Sequence, residues 1–510
     1  MGKKLVLVGL DGADWEIINP LVAEGALPNF ARMISGGSHA NLRSTIPALT
    51  APAWRSMFTG VNPGKHGVFD FFKYDGSGIG LTSSKDTLAP YVWELMPDLK
   101  VLALNIPCFF PPRGREGAVV SSGFTTPTVQ SDFTRPREAA QEIRSMAPDY
   151  SFHPAVAHLI SMGCSMDKSV VKPPILRNVR DSKKIFSHFI ESREWDAAFV
   201  VFSETDWMQH YYMSEFKAAE RKSGTDIAAV YVEIDAFLGY LRGKGYDLVI
   251  VSDHGFREIR RFFFVNAYLM RKGLLARKRE PLRKRLLRRA GLYWEDMMPL
   301  AHAIASRFMR PGSLASKVGS VFPAKNAPSS EIDRANTAAF LLSQGGCGVI
   351  VNGGASIERV SSALMAANGE LGRPLIKKVL RREEVYWGDA AEKAPHLILV
   401  PGEGVMLKES LREDLIKEID VFKGKNGAHR ENGIFMAYGE GFKAAGALPD
   451  LSLLDIAPMV LRYFGQPVPA YMDGSAPQIL SGPEVKETLK SGTRSSILRL
   501  VRKGRLGSGR

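Results

Sequence analysis

Short, almost wholly apolar runs that stop on an acidic or histidine residue punctuate this chain. Residues 4–10 run into Asp11-Gly12, residues 197–202 into Ser203-Glu204-Thr205-Asp206, and residues 247–251 into Ser252-Asp253-His254-Gly255. Apolar runs without polar alternation suit strands buried on both faces, the condition of a parallel sheet covered by helices. Weaker runs at 101–105 and 118–121, and later ones at 348–351, 397–400 and 434–437, are divided by turn residues and stretches of helical spacing. The alternation predicts an α/β fold, a mostly parallel sheet sandwiched by helices with inserted cap segments. No internal repeat interrupts it.

Two stretches depart from this rhythm. Residues 124–190 hold few strand signals and scattered prolines (Pro127, Pro136, Pro148, Pro154), as expected of a cap-like insertion. Residues 266–330 hold a basic run and then helical spacing from Trp294 to Met309, a second insertion. The division expected is a catalytic core over 1–265 and 331–482, a basic helical insertion over 266–330, and a basic flexible tail over 483–510.

Charge follows the same division. The net charge is +14, but Arg271 to Arg289 carries ten Lys/Arg and one acid, and 491–510 carries six Lys/Arg and no acid. The rest is close to neutral, so the basic excess is no argument for a nucleic-acid groove. Leu274, Leu275, Leu282, Leu286 and Leu287 stand among the first set of cations, and Ile497, Leu498, Leu500 and Val501 among the second. Basic amphipathic segments of this kind are expected to permit peripheral contact with an anionic membrane. No run reaches the roughly 18 apolar residues of a membrane span, and the six apolar residues before Asp11 read as a strand rather than a signal peptide. The expected location is cytoplasmic, with peripheral membrane contact. Three scattered cysteines, Cys108, Cys164 and Cys347, argue against disulfides and a thiolate zinc site.

In open α/β sheets, ligands gather beyond the carboxyl ends of strands, where Asp11, Asp206, Asp253 and His254 stand. His210 follows Asp206 by four residues, which puts both on one face of a helical turn. Mixed carboxylate and imidazole donors suit zinc, with manganese or iron as alternatives. The segment Pro47-Ala48-Leu49-Thr50-Ala51-Pro52-Ala53-Trp54 reads as a helix start with Thr50 as N-cap and Pro52 in the first turn. A hydroxyl there faces free backbone N–H groups and the positive end of the helix dipole, where a phosphate settles readily. The same geometry serves a plain cap, and a lone His429 in a loop is ordinarily just exposed.

Read in order, Asp11-Gly12, Pro28-Asn29-Phe30, Pro47-x-x-Thr50-x-Pro52, Thr59-Gly60-x-x-Pro63-x-x-His66-Gly67, Asp206-x-x-x-His210, Ser252-Asp253-His254-Gly255 and Gly427-x-His429 resemble the type I phosphodiesterase/nucleotide pyrophosphatase family of the alkaline-phosphatase superfamily. The likeness extends to Leu454-Asp455-Ile456-Ala457-Pro458. It implies an alkaline-phosphatase-like core and two divalent metal ions, zinc first and manganese second. Asp11, Thr50, Asp253 and His254 would surround one ion, and Asp206, His210 and His429 the other. It implies a metal-dependent hydrolase that cleaves phosphodiester or pyrophosphate-type bonds through a phosphothreonine at Thr50. The substrate would be a phosphate-ester small molecule or one linked to lipid or glycan.

The pattern is broken at two places, one of them Ala394-Pro395-His396-Leu397, where the family commonly reads Ala-Pro-Asp-Leu. Family members acting on nucleotides carry an Asn just after the His-Gly motif, whereas here the chain reads His66-Gly67-Val68-Phe69-Asp70-Phe71-Phe72. A phosphonate hydrolase and a phospho-group transferase of the same superfamily therefore stay open. Sulfatases are disfavoured, because Thr50-Ala51-Pro52-Ala53-Trp54 lacks their Cys and Arg. A non-catalytic adaptor binding membranes or anionic polymers on a hydrolase scaffold is the reading of another class. His66 is expected to shape its loop, His396 to be structural, and Arg55 to point away from the helix N-terminus.

Overall fold

The computed structural model describes residues 4–76, 78–152, 171–279, 331–343, 345–352, 354–420, 424–481 and 488–489. Most of the basic insertion (280–330), the basic tail from 490 onward, and Cys164 lie outside the described residues.

Ten strands position the site: β1 Leu5–Leu10, β2 Ser38–Arg43, β3 Val101–Ile106, β4 Ala118–Ser122, β5 Thr134–Arg135, β6 Ala197–Phe202, β7 Asp247–Val251, β8 Gly255–Glu258, β9 Gly427–Arg430 and β10 Asn432–Tyr438. The main sheet runs β2-β10-β7-β1-β6-β3-β4-β5, with the short strands Gly446–Ala447 and Leu451–Ser452 on β2. From β7 to β4 every pairing is parallel. β10 is antiparallel to both neighbours, and β5 closes the other edge antiparallel to β4.

Side chains along β1 alternate between two cores. Val6, Val8 and Leu10 join the apolar layer under helices α1 Trp15–Ala23, α2 Pro28–Gly36, α4 Lys172–Ser192, α5 Glu204–Ala218 and α6 Asp226–Gly243. Leu5 and Leu7 join the layer under α3 Thr50–Thr59 and the helix Ile456–Tyr463. All six residues of β1 are buried, so a period-two strand covered on both faces reads as a continuous apolar run. Helix α4 covers most of the later part of 124–190, and it packs eight buried residues, Ile175 and Phe186 among them, against the sheet. Among the described residues no helix is long and apolar enough to cross a membrane.

Two late apolar runs lie elsewhere than expected. Gly348–Val351 and Leu397–Pro401 form, with Ala339–Leu341 and Ile376–Arg381, a separate four-stranded antiparallel sheet. Its third core holds Phe263, Tyr268 and Leu364. Only six residues join Leu341 to Gly348, too few for a parallel crossover. The run at 434–437 does enter the main sheet, but antiparallel, because β9 and β10 run back in succession along β8 and β7.

Candidate metal centre

Register decides where the site lies. Leu10 pairs with Phe202 and Gly9 with Val251, so β1, β6 and β7 end level. The residues that follow them, Asp11, Asp206 and Asp253, leave the sheet at one edge. Asp11 N–H still bonds Phe202 O at 2.9 Å, and Gly12 N–H donates to Asp253 Oδ1 at 3.2 Å.

Thr50 arrives from the other layer. It is the first residue of α3; Leu49 is the N-cap, with no side-chain cap bond. The expectation that Thr50 caps the helix is thereby corrected: its Oγ1 lies 3.3 Å from His254 Nε2 instead. One turn on, Trp54 donates its indole N–H to Asp11 Oδ2 at 3.3 Å. Helix α3 can come this close because β1 carries Gly9, where a Cβ would stand 2.4 Å from the Trp54 ring. The first turn of α3 presents backbone N–H groups without intrahelical acceptors, beside the Thr50 hydroxyl.

The side chains form two triads. Asp11, Asp253 and His254 bring donor atoms within 4.8 Å of one another, as do Asp206, His210 and His429. His254 Nε2 lies 3.5 Å from Asp11 Oδ1 and 3.3 Å from Asp253 Oδ2. His429 Nε2 lies 3.1 Å from Asp206 Oδ1, and His210 Nε2 3.4 Å from Asp206 Oδ2. The His254 and His429 rings stack at 3.7 Å and join the triads into one cluster. All seven residues singled out from the sequence thus meet at one site.

The three imidazoles are oriented alike. His210 Nδ1 bonds Gly427 O at 2.8 Å, His429 Nδ1 bonds Ala48 O at 3.1 Å, and His254 Nδ1 bonds Gly255 O at 3.2 Å. A carbonyl can only accept, so each Nδ1 carries a proton and each ring turns its Nε2 inward. Burial holds His210 and His254 well below the usual histidine range, which keeps them neutral. The inward Nε2 atoms face Asp11 Oδ1, Asp206 Oδ1 and Asp253 Oδ2, buried oxygens with no hydrogen-bond partner. Burial, and then repulsion among the carboxylates, pushes Asp11 and Asp253 well above the ordinary carboxyl range. Three imidazole nitrogens and three buried carboxylates converge there, more negative charge than Gly12 N–H, Trp54 Nε1 and the Thr50 hydroxyl offset, and that donor set fits divalent cations.

Other residues hold this frame. Asp14 accepts from Phe256 N–H (2.8 Å), from Glu16 N–H (2.8 Å) and from Arg430 Nε (2.6 Å). It thereby ties together the antiparallel pair β8–β9, in which Phe256 stands opposite His429. Gly255 leaves no room for a side chain, since a Cβ would fall 2.0 Å from Asn432 O. Gln209 donates to Gly12 O at 2.8 Å and receives the Tyr231 hydroxyl at 2.9 Å. Asn426 donates its N–H to His210 O at 2.8 Å and accepts from Met213 N–H at 3.0 Å. Of these, Gly255 belongs to a motif read from the sequence and Asp14 carries a signal as a capping residue before Trp15-Glu16; the others carry none.

The residues set aside from the site are occupied elsewhere. Arg55 is buried and donates to Thr87 Oγ1, Ala51 O and Cys108 O. His66 bonds Ser56 Oγ at 3.0 Å and receives Val68 N–H, and burial lowers it to about 3. His396 Nδ1 accepts from Val351 N–H at 3.2 Å. Phe71, within the stretch that lacks the Asn, packs edge-on against Phe124 at 5.7 Å.

A mostly parallel sheet between helices, with two carboxylate–imidazole triads at its carboxyl edge, defines an alkaline-phosphatase-type fold. The profile of the Type I phosphodiesterase / nucleotide pyrophosphatase family matches residues 5–429, and the chain belongs to that family. Its fold is similar to murine ectonucleotide pyrophosphatase/phosphodiesterase 5, solved as an inactive variant with AMP, at 14% identity and TM-score 0.53 over 94% of this chain and 100% of that one. It is also similar to phosphonoacetate hydrolase from Sinorhizobium meliloti, solved with phosphonoformate, at 15% identity and TM-score 0.52 over 89% of this chain and 94% of that one. No match to a curated protein was found.

Proposed function

We propose that this protein is a metal-dependent hydrolase that cleaves phosphodiester or pyrophosphate-type bonds through a phosphothreonine at Thr50. One observation carries the reading: three imidazoles turn their Nε2 atoms toward unpartnered buried carboxylate oxygens beside a hydroxyl at a helix N-terminus. Asp11, Asp253 and His254, with Thr50, would hold one divalent ion, and Asp206, His210 and His429 a second. Zinc is the first choice for this donor set and manganese the second. Bound there, the ions supply Lewis acidity and offset the negative charge of the phosphate oxygens.

This chain's own residues do the rest. Thr50 Oγ1 attacks phosphorus; the Oγ–P bond forms as the bond to the departing oxygen breaks, and the proton lost by the hydroxyl ends, through solvent, on the departing oxygen. The Thr50 and Ala51 N–H groups at the start of α3 would face the oxygens that gain charge, since Pro52 has no N–H and Ala53 N–H bonds Leu49 O. In the second step water attacks phosphorus from the vacated side, the Oγ–P bond breaks, one water proton returns to Thr50 Oγ1, and the rest of a diester leaves as a phosphate monoester. His210, His254 and His429 are locked by their Nδ1 bonds, so little reorganisation accompanies either step.

A phosphonate hydrolase is the second reading, and it is favoured by the lack of an Asn in Val68-Phe69-Asp70-Phe71-Phe72, the stretch where nucleotide-acting members carry one. The proposed location is cytoplasmic, with the basic segments touching anionic membrane. The deciding experiment combines metal analysis of the purified protein with a panel of mono- and diesters, nucleotide sugars and phosphonates under zinc or manganese. Thr50→Ala should abolish turnover yet keep nearly all bound metal. A wild type free of metal and inert on the whole panel would overturn the reading in favour of the adaptor. A Thr50→Ala variant with most of its activity would overturn the covalent step.

A further inference from the structure

Lys425 stands beside the Asp206 triad. It lies in the loop 424–426 that leads into β9. The next residue, Asn426, donates its N–H to His210 O at 2.8 Å and accepts Ile259 N–H at 2.8 Å, so the loop is clamped against α5 one turn from Asp206. The lysine is only partly exposed, and its charge is felt at His210, just as that of Asp206 is felt at the lysine. Among the described residues no hydrogen bond or ion pair ties its ammonium. Its nearest charged company includes another cation, Lys408, buried in the strand Val405–Lys408 with its Nζ 4.7 Å over the Phe262 ring.

That arrangement is costly for a residue serving stability alone. Other half-buried lysines here have a carboxylate, as Lys65 has Asp473 and Lys183 has Glu233. Burial and Lys408 instead push Lys425 down to about 7. A divalent ion at Asp206 would add further repulsion. An anion placed between the lysine and that triad would relieve all of these terms together.

The side on which it sits assigns the anion. Thr50 touches His254 in the first triad, while the loop that carries Lys425 is bonded through Asn426 N–H to His210 O in the second. In an in-line displacement the departing group leaves opposite the nucleophile, hence toward Asp206, His210 and Lys425. We propose that Lys425 binds an oxyanion carried by the departing part of the substrate, a carboxylate or a further phosphate, and so sets substrate preference. This deepens the phosphoryl-transfer reading and rests on it. It also supplies a cationic contact that neither Arg55 nor the stretch 68–72 offers.

The test compares phenyl 4-nitrophenyl phosphate with the same diester bearing a carboxylate on its departing ring, using wild type, Lys425→Gln and Lys425→Arg. A charge-assisted hydrogen bond corresponds to about a ten- to hundredfold effect. Lys425→Gln should lower the preference for the carboxylate substrate by that factor, mostly through KM, with partial return in Lys425→Arg. Calorimetry with inorganic pyrophosphate and with inorganic phosphate forms a second arm on the metal-loaded protein. There Lys425→Gln should weaken pyrophosphate far more than phosphate, at unchanged metal content. A wild type that hydrolyses neither diester would count against the catalytic reading, while the calorimetric arm still judges the lysine. Equal losses on both diesters, or equal weakening of both anions, would overturn the proposal.

Discussion

Replacing Asp14 should loosen the metal centre without touching a metal donor. The carboxylate is fully buried and has three donors of its own: Glu16 N–H, Phe256 N–H and Arg430. Removing it in Asp14→Ala deletes a helix N-cap, about 1 kcal/mol. It also orphans the buried Phe256 N–H, about 1–3 kcal/mol. The Arg430 contact adds less than a buried ion pair would, because that side chain is 30% exposed and water can replace the carboxylate. Some cost returns as well: burial outweighs Arg430 and raises the Asp14 carboxyl above its usual range, so the fold already strains against this charge. The net loss is about 3 kcal/mol in unfolding free energy. Asp14→Asn keeps one acceptor oxygen and should lose about half of that. Urea denaturation of the chelator-treated protein measures the folding term free of metal linkage. Metal analysis after reloading measures the coupling, which should appear as weaker binding because Phe256 stands opposite His429. An Asp14→Ala protein within 0.5 kcal/mol of wild type, with full metal affinity, would refute this account of how the two strands are held.

Asp253→Ala and His210→Ala should each lower metal content and activity together, as read by metal analysis and turnover; retention of both ions in either variant would contradict the ligand assignment. Among substrates without an anion on the departing group, diesters should be cleaved faster than monoesters, since Arg55 is committed to Thr87, Ala51 and Cys108 and cannot cover a monoester's extra oxygen; a monoester preference in steady-state kinetics would refute this. Burial raises Asp70 from 3.8 to about 6, so its contribution is full below pH 4 and is lost as pH rises to about 6. The stability of Asp70→Asn relative to wild type should therefore climb by about 3 kcal/mol between pH 4 and pH 7, and parallel pH curves would disprove it. Co-sedimentation with anionic but not neutral vesicles, lost at high salt and on removal of 491–510, is the result expected of the basic segments; indifference to lipid charge would leave them as ordinary surface.

How much of this was legible depended on whether a residue's role is fixed by its neighbours in sequence. Asp11, Asp206, Asp253 and His254 could be read because each follows an apolar run, and a buried parallel strand has to deliver its next residue to the carboxyl edge. His210 could be read from its four-residue spacing. His429 could not be read alone; its place depends on β9 pairing with β8, a contact between residues far apart in the chain. The same limit hid Asp14, whose Arg430 partner lies 416 residues away. Strand direction was lost for a related reason. The runs at 348–351, 397–400 and 434–437 are as apolar as β6, but periodicity does not report whether a buried strand is parallel; that depends on which strand each one meets. Thr50 was found on helix-start chemistry that misnamed its position by one residue, since Leu49 is the cap and the threonine hydroxyl is free to face His254.

Lys425 marks the remaining boundary. Metal donors of this kind are mostly Asp and His in a narrow geometry, so composition and spacing expose them. A residue that meets the far end of a substrate needs only the right charge at the right depth, and one lysine among the 67 basic residues of this chain carries no local signal. It becomes visible only when the fold shows its loop clamped against His210, with no hydrogen bond or ion pair to its ammonium among the described residues. The meeting of the two triads was therefore open to sequence reasoning, while the proposed choice of substrate rests on tertiary contacts, and the two diesters that differ by a single carboxylate probe that second layer directly.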